Sequence, residues 1–237
     1  MINTIDLHTH SVLSKHAYSS ITENIDEAIK KNMKALGVLE HQYDELGVGA
    51  HYFGISNLSV IPSCVGGLRI LKGVELNILE NGYINLDKMN ITKLDYSIAS
   101  MHRYVYDTSH SYLENTIAYI NVVQNDYVNI LGHIDRDGFP CDYEEVVKAC
   151  AMTNTIVELN NSSIDTKDNR RIIDRDLEIL SYCIKYNCPI IINSDAHIKY
   201  DVGNYLKALK VIDEAKFPYD LVLNFNESLF NQYFNLN

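Results

Sequence analysis

The run Ile5-Asp6-Leu7-His8-Thr9-His10 ends the first apolar segment of the chain, which starts at Met1 and Ile2. His8 and His10 lie two residues apart, so on an extended segment both imidazoles face the same side. Two neutral imidazoles at a strand end suit a divalent metal ion. Taken alone, the pair fits two exposed histidines near a terminus just as well.

The same arrangement returns along the chain. Short β-rich apolar runs are expected at 5–8, 35–40, 69–75, 95–100, 128–132, 155–158 and 189–193. After the first, these runs lead into Glu40-His41, Glu75-Leu76-Asn77, Met101-His102, Gly132-His133, Glu158-Leu159-Asn160-Asn161 and Ser194-Asp195-Ala196-His197. Helical patterns lie between them, at 23–32 (with Thr22 as cap), 111–124, 142–152, 169–186 and 203–215. A last helix at 227–234 is expected to close a barrel. Strands alternating with helices imply parallel pairing through crossovers. The expected fold is α/β, a seven-stranded β/α barrel forming one domain over 1–237. In such a barrel the strand ends meet at one rim, where active sites form.

Composition narrows the function. The 237 residues are 46% hydrophobic, enough for a full core. No apolar stretch approaches the ~20 residues of a membrane span, and no signal-peptide pattern is expected. With 20 basic and 31 acidic residues the net charge is −11, which repels nucleic acid phosphates. No nucleic-acid or membrane partner is therefore expected. Five cysteines form no CxxC pair, which favours reduced thiols and a cytoplasmic setting. Oligomeric state stays open.

Histidines with a glutamate and an aspartate at one rim make a hard-to-borderline N/O metal site. The absence of a cysteine at any strand end argues against a structural zinc cluster. Such a donor set suits hydrolysis, and a carboxylate such as Glu75 can bridge two ions ~3.5–4 Å apart.

These motifs, with His16-Ala17-Tyr18-Ser19 and Asn160-Asn161-Ser162-Ser163, resemble the PHP (polymerase and histidinol phosphatase) superfamily. The resemblance runs nearly end to end and is closest to the YcdX-type phosphatase branch. It implies a distorted seven-stranded β/α barrel holding three divalent metal ions, usually zinc, with manganese or iron also suited to the donors. It places His8, His10, Glu75 and Asp195 on the first ion. Glu75, His102 and His133 would hold the second, and His16, His41 and His197 the third. The implied reaction is hydrolysis of small phosphate monoesters by a metal-held hydroxide. Asp195 and His197 are candidates to protonate the leaving oxygen where ligation leaves them free.

The chain departs from the family pattern at Glu40, where an aspartate is usual, and at Ile134, where a proline is usual. Arg103 directly follows His102 and is a candidate phosphate clamp, as is Arg136. Asn160, Asn161 and the loop histidine His51 are further substrate-binding candidates. Asp6 and Glu40 are expected to orient ligands, Asp6 by bonding a metal histidine. Arg170, Arg171 and His110 read as surface residues. Two other functions are compatible with the motifs: a phosphodiesterase or exonuclease on nucleic acid, and a non-catalytic metal-binding protein.

Overall fold

The computed structural model describes residues 5–43, 49–85, 91–164 and 170–234. Its strands are β1 (Ile5–Asp6), β2 (Ala35–His41), β3 (Cys64–Val65), β4 (Leu68–Asn77), β5 (Tyr96–Ser100), β6 (Ile130–Leu131), β7 (Ile156–Asn160) and β8 (Ile190–Asn193). Its helices are α1 (Ile21–Lys30), α2 (Tyr52–Ser56), α3 (Tyr112–Val122), α4 (Tyr143–Thr153), α5 (Arg170–Tyr186), α6 (Leu206–Ala215) and α7 (Glu227–Tyr233). Seven strands pair in parallel in the order β1-β2-β4-β5-β6-β7-β8, and β3 adds to β4 as an antiparallel hairpin. The result is the nearly closed β/α barrel read from the sequence.

The barrel closes at its C-terminal mouth. Past the ends of β1 and β8, Thr9 and Ala196 form a parallel bridge. The His10 amide donates to the Ala196 carbonyl at 2.8 Å, and the Ala196 amide to that of His8 at 3.2 Å. The segments that carry the candidate ligands are thus also the seam of the barrel.

Alternation along the strands sorts the core. Leu7, Leu39, Leu71, Tyr96, Ile98, Ile130, Ile156 and Ile191 fill the interior. Phe230 and Phe234, on and just after α7, pack into the same cluster and plug the end opposite the mouth. The neighbouring positions Leu36, Val38 and Ile70 face outward onto α1 residues Ile25 and Ala28. Among the described residues, no helix is long and apolar enough to cross a membrane.

Local structure departs from the sequence reading in three places. Ser20, not Thr22, caps α1: its hydroxyl accepts from the Glu23 amide at 3.3 Å and its own amide donates to the Glu23 carboxylate at 2.9 Å. This capping box satisfies two end groups at once, which Thr22 could not. The hairpin of β3 is a second departure, turning on Gly66 and Gly67 at φ 57° and 85°. The five-residue α2 is the third. The expected start of α5 at Asn169 lies outside the described residues.

The interior leaves no room at Gly37. A Cβ there would strike the Tyr96 hydroxyl, which bonds the Leu7 carbonyl at 2.5 Å, and the Leu7 backbone itself. Gly37→Ala should therefore destabilise the protein by about 1–3 kcal/mol, read from denaturant midpoints. An unchanged midpoint would mean that Tyr96 is not fixed in the barrel.

Candidate metal centre

Glu75, fully buried near the end of β4, is the hub of the mouth. Five imidazole nitrogens surround its carboxylate: His41 Nδ1 at 2.9 Å, His133 Nε2 at 3.1 Å, His102 Nε2 at 3.3 Å, His8 Nε2 at 3.4 Å and His10 Nε2 at 3.5 Å. Asp195 forms a second centre, 3.3 Å from His10 Nε2, 3.4 Å from His8 Nε2 and 3.6 Å from His197 Nδ1. Beside it, the Nε2 atoms of His197 and His16 face each other at 2.8 Å. All nine expected ligands lie at this one rim.

Their hydrogen bonding tests whether the set fits metal ions. His8 Nε2, His10 Nε2, His102 Nε2, both ring nitrogens of His41 and Glu75 Oε2 are buried without a hydrogen-bond partner. Orphaned polar atoms of this kind are rare because each costs about 1–3 kcal/mol. Here they converge, and a divalent cation would satisfy them together. Three groups have donor atoms within 4.8 Å of one another: His8, His10 and Glu75; His41, Glu75 and His102; and His10, His41 and His197. The first falls inside the ligand set expected for one ion. His41 belongs to both of the other groups, with its ring stacked on that of His10 at 4.2 Å.

A second layer aims the rings. The Nδ1 atoms of four of the expected ligands have oxygen partners, which leaves Nε2 turned to the cluster. These partners are Glu158 for His8 (2.7 Å), Asn77 for His102 (2.8 Å), the Ser14 carbonyl for His16 (2.8 Å) and the Asp195 carbonyl for His197 (3.0 Å). Glu158 does most, because its carboxylate also accepts from the His133 amide (2.9 Å), Asn193 (2.8 Å) and Asn160 (3.1 Å). Sequence reasoning placed Glu158 at the rim and gave it no role. Its signal was the two-residue spacing to Asn160, which puts both on one face of β7. Glu40 reaches the ligands through a serine: Ser14 Oγ donates to it at 2.5 Å, accepts from the His41 amide at 3.0 Å and sits 3.5 Å from His10 Nδ1.

Asp6 corrects an expectation. Its carboxylate bonds backbone rather than an imidazole, accepting from the amides of His8 (3.3 Å), Ser194 (3.1 Å) and Gly203 (2.9 Å) and from the Ser194 hydroxyl (2.5 Å). It holds the two ligand segments by their main chains.

The substrate candidates separate. Arg136 Nη2 donates to Asp195 Oδ2 at 2.5 Å, so its guanidinium is at the cluster. Asn160 Nδ2 reaches the same oxygen at 3.3 Å. Arg103 is turned away, donating to the Asp137 carbonyl at 2.9 and 3.3 Å. Asn161 caps the start of α6, accepting from the amides of Lys207 (3.0 Å) and Ala208 (3.1 Å). His51 is exposed ahead of α2, its ring 5.8 Å from Tyr43 and 6.3 Å from Phe53. Arg170 pairs on the surface with Asp174 (2.6 Å) and Glu214 (2.7 Å), Arg171 pairs there with Asp137, and His110 rests on Tyr106 at 4.6 Å.

The electrostatics follow from burial. Burial alone would push Glu75 up, yet His41, His8 and His102 hold its carboxyl well below the usual range. Burial would likewise raise Asp195, but His8, His10 and Arg136 hold it well below. Burial pulls His10 well down and takes His102 to about 4, so both rings are neutral near pH 7, the form that ligates. Burial would lower His8 too, but Glu158, Asp195 and Glu75 raise it well above its ordinary value. Three carboxylates thus demand positive charge at that ring.

The family model for the PHP domain matches residues 6–169. The chain belongs to the PHP family. A "probable phosphatase" of Caldanaerobacter subterraneus is 37% identical over 231 residues, spanning 97% of this chain and 90% of that protein. A "probable phosphatase" of Clostridium botulinum is 35% identical over 230 residues, spanning 97% and 93%. Among solved structures, the PHP barrel resembles histidinol phosphate phosphatase from Lactococcus lactis, determined with zinc, L-histidinol and phosphate. The TM-score is 0.65 at 21% identity, covering 92% of this chain and 95% of that one. A chain of archaeal ribonuclease P, determined with mature tRNA, matches at a TM-score of 0.62 and 15% identity, covering 97% and 89%. Both likenesses concern the fold alone.

Two measurements test this centre. Glu158→Ala should weaken zinc binding about 10–100-fold, with Glu158→Gln less affected, read by competition with a chromophoric chelator. Equal affinity in all three proteins would remove Glu158 from the site. In the metal-free protein, His102 stays unprotonated down to about 4, whereas in the unfolded chain it takes up a proton near 6.5. Its contribution to stability is therefore lost as pH falls from about 6.5 to about 4. His102→Gln should flatten that limb of a urea-midpoint profile, and an unchanged slope would contradict the burial of this ring.

Proposed function

We propose that this protein is a metal-dependent phosphatase that hydrolyses small phosphate monoesters, using up to three divalent ions, zinc foremost. The observation that carries the reading is the convergence of unpartnered, buried imidazole nitrogens on Glu75, with the Arg136 guanidinium on Asp195 beside them. His8, His10, Glu75 and Asp195 would hold one ion, Glu75, His102 and His133 a second, and His16, His41 and His197 a third. When bound, the ions lower the pKa of water and polarise phosphoryl oxygens.

The chain supplies the rest. Arg136 offers a planar pair of donors to the non-bridging oxygens of a phosphate. Its side chain is 35% exposed, so it can meet an ester entering from solvent. Asn160 steadies both Glu158 and Asp195 from behind. His197 is 31% exposed where Asp195 is 3% exposed, so it is the more accessible of the two, and it can place a proton on the leaving oxygen only in a form of the centre in which its Nε2 does not hold the third ion. The names of the curated relatives support the phosphatase class. A net charge of −11 supports a small ester over a nucleic acid strand. The free thiols, four of them buried, fit a cytoplasmic setting.

The protein loaded with zinc or manganese should release inorganic phosphate from a panel of small monoesters. Arg136→Ala should lower kcat/KM about 10²–10³-fold, as loss of one positioned charge-stabilising donor does, with Arg136→Lys partly rescued. Release from no ester of a broad panel, at full metal loading, would sink the reading.

A further inference from the structure

The turn that follows β6 is gripped by three arginines. His133 opens it at φ 28°, a left-handed backbone that a residue with a side chain keeps only when its surroundings hold it there. The Arg136 amide closes the turn on the His133 carbonyl at 3.1 Å, and Gly138 leaves it at φ 108°. Arg175, in the second turn of α5, reaches it from the helix layer. Its Nη1 donates to the Asp135 carbonyl and, at 3.2 Å, to Asp137 Oδ1, and its Nη2 donates to that same oxygen at 3.2 Å. One planar guanidinium thus holds the residue on each side of Arg136. Arg171, one turn earlier in α5, donates to the other Asp137 oxygen, and Arg103 donates to the Asp137 carbonyl. Arg175 is the heart of this clamp, because its side chain is 19% exposed where that of Arg171 is 71% exposed and Arg103 lies open to solvent. Its pairing is the least screened of the three. From the gripped turn, the Arg136 side chain reaches Asp195 at the histidine cluster.

We infer that Arg175, with Asp137 as its partner, is a positioning residue for Arg136: it fixes the turn so that the Arg136 guanidinium is presented at the metal centre, where a phosphate meets it. The inference rests on the role given to Arg136 in the proposed phosphatase. Arg136 is a long, flexible side chain, and its planar donors match phosphate oxygens only from a narrow range of backbone positions. Misplacing such a group by about 1 Å costs up to about a hundredfold. The bonds of Arg175 go to the two neighbours of Arg136 in sequence, so it acts through the turn and not on the ester. Arg103 and Arg171 act on the same turn through Asp137.

Binding of inorganic phosphate to the zinc-loaded full-length protein, followed by calorimetry, tests this without turnover. Arg175→Lys keeps a positive charge near the buried Asp176 but loses the two-sided grip. Asp137→Ala removes the partner at a position whose side chain is 37% exposed, so it should fold normally. Each variant should weaken phosphate about tenfold, with denaturant midpoints and zinc content close to those of the unaltered protein. Asp137→Asn, which keeps an oxygen acceptor, should recover part of the loss. In an Arg136→Ala background neither change should weaken phosphate by more than about twofold, because the group being positioned is gone. The kcat/KM for a small monoester should follow the same pattern. Unchanged phosphate affinity in both variants, an equal loss in the absence of Arg136, or no phosphate binding by the unaltered protein would overturn the inference. Turnover of no ester with the binding pattern intact would refute the phosphatase reading and leave the role of Arg175 standing.

Discussion

One buried carboxylate organises the molecule's functional end. Glu75 sits in the wall of the barrel with five imidazole nitrogens within 3.5 Å and no access to water. A charge in such a place is costly unless it is compensated. The surrounding histidines compensate it only in part, because most of their inward nitrogens have no partner of their own. The arrangement makes sense as a cage whose missing charge is positive. Barrel closure depends on the same residues, since the bridge between Thr9 and Ala196 lies between His8 and His10 on one side and Asp195 and His197 on the other. Seam and site are therefore built together.

Rigidity comes from a shell of polar groups with full partners. Glu158 ties His8, His133, Asn160 and Asn193; Asp6 ties the main chains of His8, Ser194 and Gly203; Glu40 works through Ser11 and Ser14. Each is a buried carboxylate that would be a liability in an apolar core and is tolerated here because every one accepts several donors. Six inner atoms, on His8, His10, His41, His102 and Glu75, are left without partners, while these three outer carboxylates each have several. That contrast is what a cation site would require and a merely polar core would not.

The fold, and the gathering of the polar strand ends at one rim, were legible in the sequence. All seven parallel strands were legible because each is a short apolar run ending in polar residues, and the two-residue spacing of His8 and His10 gave their common face. The outer ring was less legible. Nothing local distinguishes the carboxylate of Glu158, which orients a ligand ring, from that of Asp6, which fixes backbone, because their partners are up to 150 and 197 positions away in sequence. The arginines show the same limit: Arg103 and Arg136 each follow a ligand histidine closely, yet one turns to Asp137 and the other to Asp195. Asn161 looked like a rim residue and serves as a helix cap, because α6 begins against it only in three dimensions. The hairpin of β3 escaped because β3 itself has only two residues, too short to show a period.

The claim on which the rest depends is that the ring around Glu75 is a cation cage. Elemental analysis of the protein purified without chelator, set against protein concentration, counts its metal directly. A cation cage should carry two to three equivalents of zinc, manganese or iron per chain, falling below one in Glu75→Gln. A purified, folded protein with no stoichiometric divalent metal, which also takes up none on dialysis against zinc, would contradict it.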